Sequence, residues 1–340
     1  ILKKYGQAKL MRELEKCNRV LLSYKRECEK YVIYESIGNF AFELMNVASD
    51  LDEFLQKAPE FTERKDLSEF YLNLRNFLNI YELLDDHYVV YAEHEQDGRF
   101  KLKLYCVDPS KNLQERINKG NATIFFSATL LPVGYYKSLL STETDNYAVY
   151  AKTAFREEQK LLLLGNDVSS KYTRRSAGEF ERIASYVKKT TDAKKGNYMV
   201  FFPSYRLMED VLQVYEEEFS VDWVRCVCQT PDMTEQEREG FLEEFQEREG
   251  TLVGFCVLGG IFSEGVDLTG ESLIGAVIVG TGLPQIGSQR EILKEYYDKK
   301  NHCGFDYAYR YPGMNKVLQA AGRVIRTKED KGVILLLDDR

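Results

Sequence analysis

The sequence has no CxxC pair and only three histidines, His87, His94 and His302, which stand at no ligand spacing; no structural zinc is expected. Its seven cysteines (Cys17, Cys28, Cys106, Cys226, Cys228, Cys256 and Cys303) are odd in number, scattered and mostly set among apolar neighbours. That usage fits reduced thiols in a cytoplasmic, reducing compartment. Cys17 and Cys28 lack two further cysteines nearby, so a four-thiolate cluster is not expected either. Nowhere is there an apolar run of about 18 residues, which leaves no membrane-spanning helix to expect. The opening ILKKYGQAKLMREL has neither an initiator methionine nor the apolar stretch of a signal peptide, and reads as a processed or excised piece. Excess positive charge is also missing, with 46 Lys and Arg against 54 Asp and Glu for a net charge of −8. This excludes a broadly basic coat for nucleic acid but leaves room for a local basic groove.

What is present is an ordinary globular composition, 44% hydrophobic over 340 residues, enough for two domains or more. Residues 1 to about 85 read as helix. Phe40, Leu44, Val47, Leu51 and Phe54 recur at spacings of three and four, as do Leu67, Tyr71, Leu74, Leu78 and Tyr81, with Pro59 between the two patterns. Two alternating runs then flank Asp97-Gly98, a hairpin signal. After the short helix NLQERINK comes ATIFFSATLLP, read as a buried strand running into small hydroxyl residues. From about residue 160 the apolar strands KLLLLG, NYMVFFPS, VDWVRCVCQ, TLVGFCVLGG, LIGAVIVG and GVILLLDD appear, several separated by amphipathic helices. Such alternation predicts an α/β fold, a parallel sheet with helices on both faces, preceded by an all-α region. The expected segments are a helical region 1–86, a hairpin-bearing piece 87–150 and an α/β domain 151–340.

Ligands of parallel sheets bind beyond the C-terminal strand ends, and polar clusters follow several strands here. Ser204-Tyr205 follows one and Gly282-Leu283-Pro284 another. In GGIFSEGVDLTG, Ser263 and Thr269 can donate to phosphate, while Glu264 and Asp267 offer carboxylates. The run QAAGRVIRT, residues 319–327, reads as the end of a small, apolar helix and places Arg323 and Arg326 three apart on one face of it. Arginine suits planar, bidentate contact with phosphate.

Taken in order, SATLLP, GNYMVFFPSY, FSEGVDLTG, GTGLP and QAAGRVIRTKEDKGVILLLDDR resemble the C-terminal half of superfamily 2 helicases of the XPD/DinG (Rad3-related) type. The resemblance covers about residues 90–340. By order and helicity, residues 1–86 fit the position of that family's Arch domain. Residues 87–150 would then be the end of a first RecA-like lobe and 151–340 the second lobe. The resemblance implies an ATP-dependent enzyme moving 5′→3′ on single-stranded DNA, with ATP and Mg²⁺ as cofactors. Gln319, Arg323 and Arg326 would face ATP bound to the other lobe. Glu264, Gly265 and Asp267, with Ser127 and Thr129 of SATL, would couple nucleotide state to DNA grip. Ser204, Tyr205, Ser263 and Thr269 would meet DNA.

The phosphate cradle itself is not in this sequence. It contains neither a GK[ST], whose amides and lysine hold phosphates, nor a DEAH-type box for magnesium. The four-cysteine motif of the family's 4Fe-4S cluster, placed N-terminal to the Arch, is also absent. The expectation is a piece lacking most of the first lobe, inactive by itself on ATP and on duplex DNA but able to bind single strands weakly. Two other readings stand beside it: a related superfamily 2 ATPase acting on RNA or duplex DNA, and a non-catalytic module whose helical region docks a protein partner. An exposed apolar stripe over residues 40–81 would favour docking, and a basic groove beside Ser204 and Ser263 would favour DNA.

Overall fold

The computed structural model describes residues 1–58, 60–95, 97–246, 250–263 and 268–340. They fall into two compact units, one of residues 1–124, 137–144 and 287–296, the other of 125–136, 145–286 and 297–340. The helices are α1 (Ala8–Glu27), α2 (Gly38–Lys57), α3 (Arg64–Tyr81), α4 (Ser110–Ile117), α5 (Val133–Leu140), α6 (Ala177–Ala193), α7 (Tyr205–Val214), α8 (Glu235–Glu244), α9 (Ser288–Asn301) and α10 (Tyr311–Ala321). The strands are β1 (Tyr31–Tyr34), β2 (Tyr88–His94), β3 (Phe100–Cys106), β4 (Lys160–Gly165), β5 (Asn197–Phe202), β6 (Val224–Cys228), β7 (Thr251–Val257), β8 (Gly275–Val279) and β9 (Gly332–Leu337). Among the described residues no helix is long and apolar enough to cross a membrane.

In the first unit the two apolar patterns fold as α2 and α3. Phe40, Val47 and Leu51 are buried with Leu67, Leu74 and Leu78, joined by Leu10 and Cys17 of α1. Cys17 is thereby desolvated, and burial raises its thiol to about 11. The expected hairpin is present, β2 pairing antiparallel with β3 from Tyr88↔Cys106 to His94↔Phe100. The helical reading of residues 1–85 needs one correction: YVIY is β1, paired antiparallel with β2. Two aromatics and two β-branched residues suit a pleated, half-buried surface, and that local preference interrupts the helical run.

The second unit carries all six expected strands in one parallel sheet, ordered β4-β9-β8-β5-β7-β6. Strand alternation assigns each face its own core. Met199 and Phe201 of β5 pack with Phe241, Phe245, Val317 and Ala320 of the α8 and α10 side. Val200 and Phe202 pack with Ile183, Val187, Leu207 and Val211 of α6 and α7. Both faces being covered, β5 is buried at every position, which is why it reads as an unbroken apolar run. The chain runs from β5 outward to β6, returns through β7, and then crosses β5 to β8 and β9. The order thus reverses around β5, and it is beyond the C-terminal strand ends at such a reversal that open parallel sheets bind their ligands.

ATIFFSAT is the other correction. No strand forms there, and Ile124 and Phe126 are 83% and 89% exposed. A strand exists only as one edge of a ladder, and no described strand of this chain pairs with residues 122–127.

Candidate functional site at the C-terminal end of the sheet

Ser204 leaves β5 in an extended conformation and caps α7, its Oγ accepting the Leu207 N–H at 3.4 Å. The same Oγ accepts from the Arg175 guanidinium at 3.4 Å, and that guanidinium lies 5.4 Å from the centre of the exposed Tyr172 ring. Tyr205, next in line, is half-buried, and its hydroxyl accepts from Gln229 Nε2 at 2.9 Å. Burial raises the Tyr205 phenol above its ordinary value, with the Gln229 donation opposing.

Beyond β7 the backbone turns at Gly259-Gly260. Ser263 is fully buried, and its hydroxyl donates to Gly260 O at 2.8 Å, so in this structure it shapes the turn from within. Its own carbonyl accepts from Arg323 Nε at 3.1 Å, which brings one of the paired arginines to the end of β7. Thr269 is exposed at the start of a short turn. Glu264, Gly265 and Asp267 lie outside the described residues. Ser127 and Thr129 form a small hydroxyl turn, with Oγ and Oγ1 3.3 Å apart and the Thr129 N–H donating to Ser127 Oγ at 3.2 Å.

The arginine run differs from expectation in one respect. α10 stops at Ala321, with Gly322 as its C-cap; Gln319 sits on the last turn, and Arg323 and Arg326 lie past it. They do not share a helix face. What shapes this segment is Asp330, 4% exposed. Its carboxylate accepts the Arg326 and Thr327 N–H groups, both at 2.7 Å, the Thr327 hydroxyl at 2.6 Å and the Gly270 N–H at 3.1 Å. Burial works against this charge, but the Thr327 hydroxyl and the three backbone donors outweigh it and hold the carboxyl below its ordinary value. Because the folded value is depressed, the stabilisation is complete above the unfolded aspartate value, near ~4, and is lost as pH falls through the folded one. Asp330→Asn puts donors where acceptors are needed and is expected to cost about 2 kcal/mol at neutral pH. Urea unfolding of both proteins should show that gap closing below about pH 4; a gap of constant size down to pH 3 would contradict this role.

The ends of β4 and β9 are also tied together. Asp338 accepts from Ser170 Oγ at 2.6 Å and from Arg340 Nε at 2.8 Å, while Asp339 accepts from Ser169, Lys171 and Arg174. Sequence reading passed over Gln229, Arg175 and Tyr172, and gave Asp330 no role of its own. A polar residue directly after an apolar strand, as in CVCQ, was the available signal for the first. As for metals, the one grouping of metal-ligating side chains among the described residues is Asp85, Asp86 and His87, where Lys111 already pairs with Asp85 at 2.6 Å.

Residues 187–340 match the helicase C-terminal domain family. The chain is 27% identical over 296 residues to a probable ATP-dependent helicase of Methanocaldococcus jannaschii, covering 83% of this chain and 43% of that protein. To the ATP-dependent DNA helicase XPD of Sulfolobus acidocaldarius it is 25% identical over 332 residues, covering 92% and 54%. To the general transcription and DNA repair factor IIH helicase subunit XPD/RAD3 of Saccharomyces cerevisiae it is 25% identical over 301 residues, covering 83% and 37%. The chain thus spans about half, or less, of the length of these relatives. In fold it is similar to a solved XPD helicase, with a TM-score of 0.57 over 96% of this chain and 58% of the other at 24% identity.

Proposed function

We propose that the chain is part of an XPD/Rad3-type superfamily 2 helicase, the part that grips single-stranded DNA and presents arginines to ATP held elsewhere in a longer enzyme; the helicase C-terminal match over residues 187–340 and the similarity to XPD-type helicases support this reading. The observation that carries this reading is the convergence, within one unit, of Ser204, Tyr205, the Gly259–Ser263 turn and Arg323 at the reversal point of a parallel sheet. Tyr205 offers an aromatic surface for a base, Ser204 and Arg175 offer donors for a phosphate, and Thr269 is exposed to do the same. Arg323, with Arg326 and Gln319 nearby in sequence, would meet the γ-phosphate end of ATP and stabilise charge on the transferring phosphoryl group. ATP with magnesium supplies the free energy of translocation. This chain's own residues offer it arginine donors but no GK[ST] cradle, so weak nucleotide affinity is expected of the chain alone. Glu264, Gly265 and Asp267, with Ser127 and Thr129, would link the nucleotide to the DNA grip, and 5′→3′ movement is part of the same reading.

The test is anisotropy of a fluorescein-labelled oligo(dT) titrated with the chain. Stacking on an aromatic is worth about 1–3 kcal/mol per base, so Tyr205→Ala is expected to weaken binding about tenfold. Equal affinity for both proteins would remove Tyr205 from the DNA track.

One observation favours a second role for the helical unit. Phe42 and Leu72 are 62% and 60% exposed, and Leu21, Phe40, Leu44, Phe70, Leu74 and Phe77 line a shallow apolar groove. This surface suits a protein partner of the longer enzyme, and docking there is compatible with DNA binding by the other unit.

A further inference from the structure

Gln229 is 3% exposed, at the first position after β6. A buried primary amide is tolerated only when its donors and acceptor are matched. Nε2 donates to Tyr205 OH at 2.9 Å, and Oε1 accepts the Val257 N–H at 3.1 Å, at the end of β7. Its backbone N–H is also fixed, donating to Phe255 O at 2.8 Å. The side chain therefore bridges the first residue of α7 and the end of β7.

The bridge continues past β7. Gly260 donates to Val257 O at 3.0 Å and lies against the Gln229 amide so closely that a Cβ there would come within 2.9 Å of Nε2. Ser263 closes the turn on Gly260 O through both its N–H, at 3.1 Å, and its Oγ, at 2.8 Å. Arg323 Nε then donates to Ser263 O at 3.1 Å. A contiguous path of hydrogen bonds and one tight packing contact thus runs from the Tyr205 hydroxyl to the Arg323 guanidinium.

We infer that Gln229 is a positioning residue that couples the two ends of this path, so that a strand stacked on Tyr205 is felt at Arg323. The inference rests on the reading of Tyr205 as a DNA contact. Its physical basis is the cost of an orphaned amide. If the Tyr205 ring turns toward a base, its hydroxyl leaves Gln229 Nε2, and the buried amide must shift to find another partner. The residues it would move against are Val257 and Gly260, and the Gly260–Ser263 turn holds Arg323. Packed elements of this kind change between discrete arrangements rather than deforming smoothly.

The experiment is amide hydrogen exchange on this chain, with and without saturating oligo(dT), for the wild type, Gln229→Leu and Tyr205→Phe. In the wild type, oligo(dT) is expected to slow exchange in residues 257–263 and 320–327 by about fivefold, the lower end of typical coupling between sites. Both variants break the same bond from opposite ends. In each, bound oligo(dT) should still protect the segment around residue 205 but no longer 320–327. Tyr205→Phe removes a single hydroxyl and guards against a Gln229 variant that fails to fold. Protection of 320–327 that persists in either variant, or that is missing in the wild type with oligo(dT) bound, overturns the coupling and leaves the DNA reading standing. Failure of the wild type to bind oligo(dT) overturns that reading, and the coupling with it.

Discussion

Arg323→Ala, placed in the longer enzyme, is expected to lower DNA-stimulated ATP turnover by about 10³-fold or more, the range an arginine finger supplies in phosphoryl transfer. The expectation follows from how the side chain is held. Nε is fixed on Ser263 O at 3.1 Å, which orients the guanidinium plane before any nucleotide arrives. A preorganised donor costs no rearrangement when charge develops on the phosphoryl group. Arg323→Lys keeps the charge but loses the planar fork, and most of the loss should remain. The check is steady-state hydrolysis at saturating oligo(dT), with oligo(dT) affinity measured in parallel. Turnover within about tenfold of wild type would place the essential arginine elsewhere.

The second large effect is on stability. Gly332→Ala, at the start of β9, should cost about 3 kcal/mol, the upper part of the range for forcing a methyl group into a packed core. An added Cβ would lie 2.2 Å from Val324 Cγ1 and 2.7 Å from the Ile274 carbonyl oxygen. Neither neighbour has room to yield. Val324 is 1% exposed, and Ile274 O already accepts the Val333 N–H at 3.0 Å within the sheet. A destabilisation of that size corresponds to about 6–12 °C in the melting of a unit of this length. Because Val324 follows Arg323 directly, the displaced side chain would also disturb the arginine turn, and oligo(dT)-dependent hydrolysis by the longer enzyme should fall as well. A melting temperature within about 2 °C of wild type would show that the strand start can relax around the methyl.

Asp330 and Gly332 frame the stretch Asp330-Lys331-Gly332 between the arginine run and the last strand, and the structure gives each a role. Asp330 binds the backbone of the arginine turn, and Gly332 lets Val324 close over it. Each residue answers a local physical demand, and neither demand could be read without knowing where the chain turns.

Much of the fold was legible because its signals are local. The runs NYMVFF and GVILLL are long enough and apolar enough to be buried strands, and α2 and α3 announce themselves by spacing. YVIY was missed because a four-residue strand within a helical stretch gives too short a signal against its surroundings. ATIFFSAT shows the opposite failure: its pattern is that of a buried strand, yet a strand needs a ladder, and no strand among the described residues pairs with it. The arginine pair was legible as chemistry but not as geometry, since Gly322 ends the helix one residue before Arg323. The roles of Gln229 and Asp330 were invisible for a common reason. Their importance lies in which backbone groups the tertiary fold brings to them, and no spacing in the sequence encodes that.

The most direct test of the division of labour is ATP hydrolysis by this chain alone, with and without oligo(dT). The expected result is background hydrolysis in both samples, because the arginines are here and the phosphate cradle is not. Hydrolysis stimulated by oligo(dT) and abolished by Arg323→Ala would contradict it, and would mean that this chain contains a complete nucleotide site.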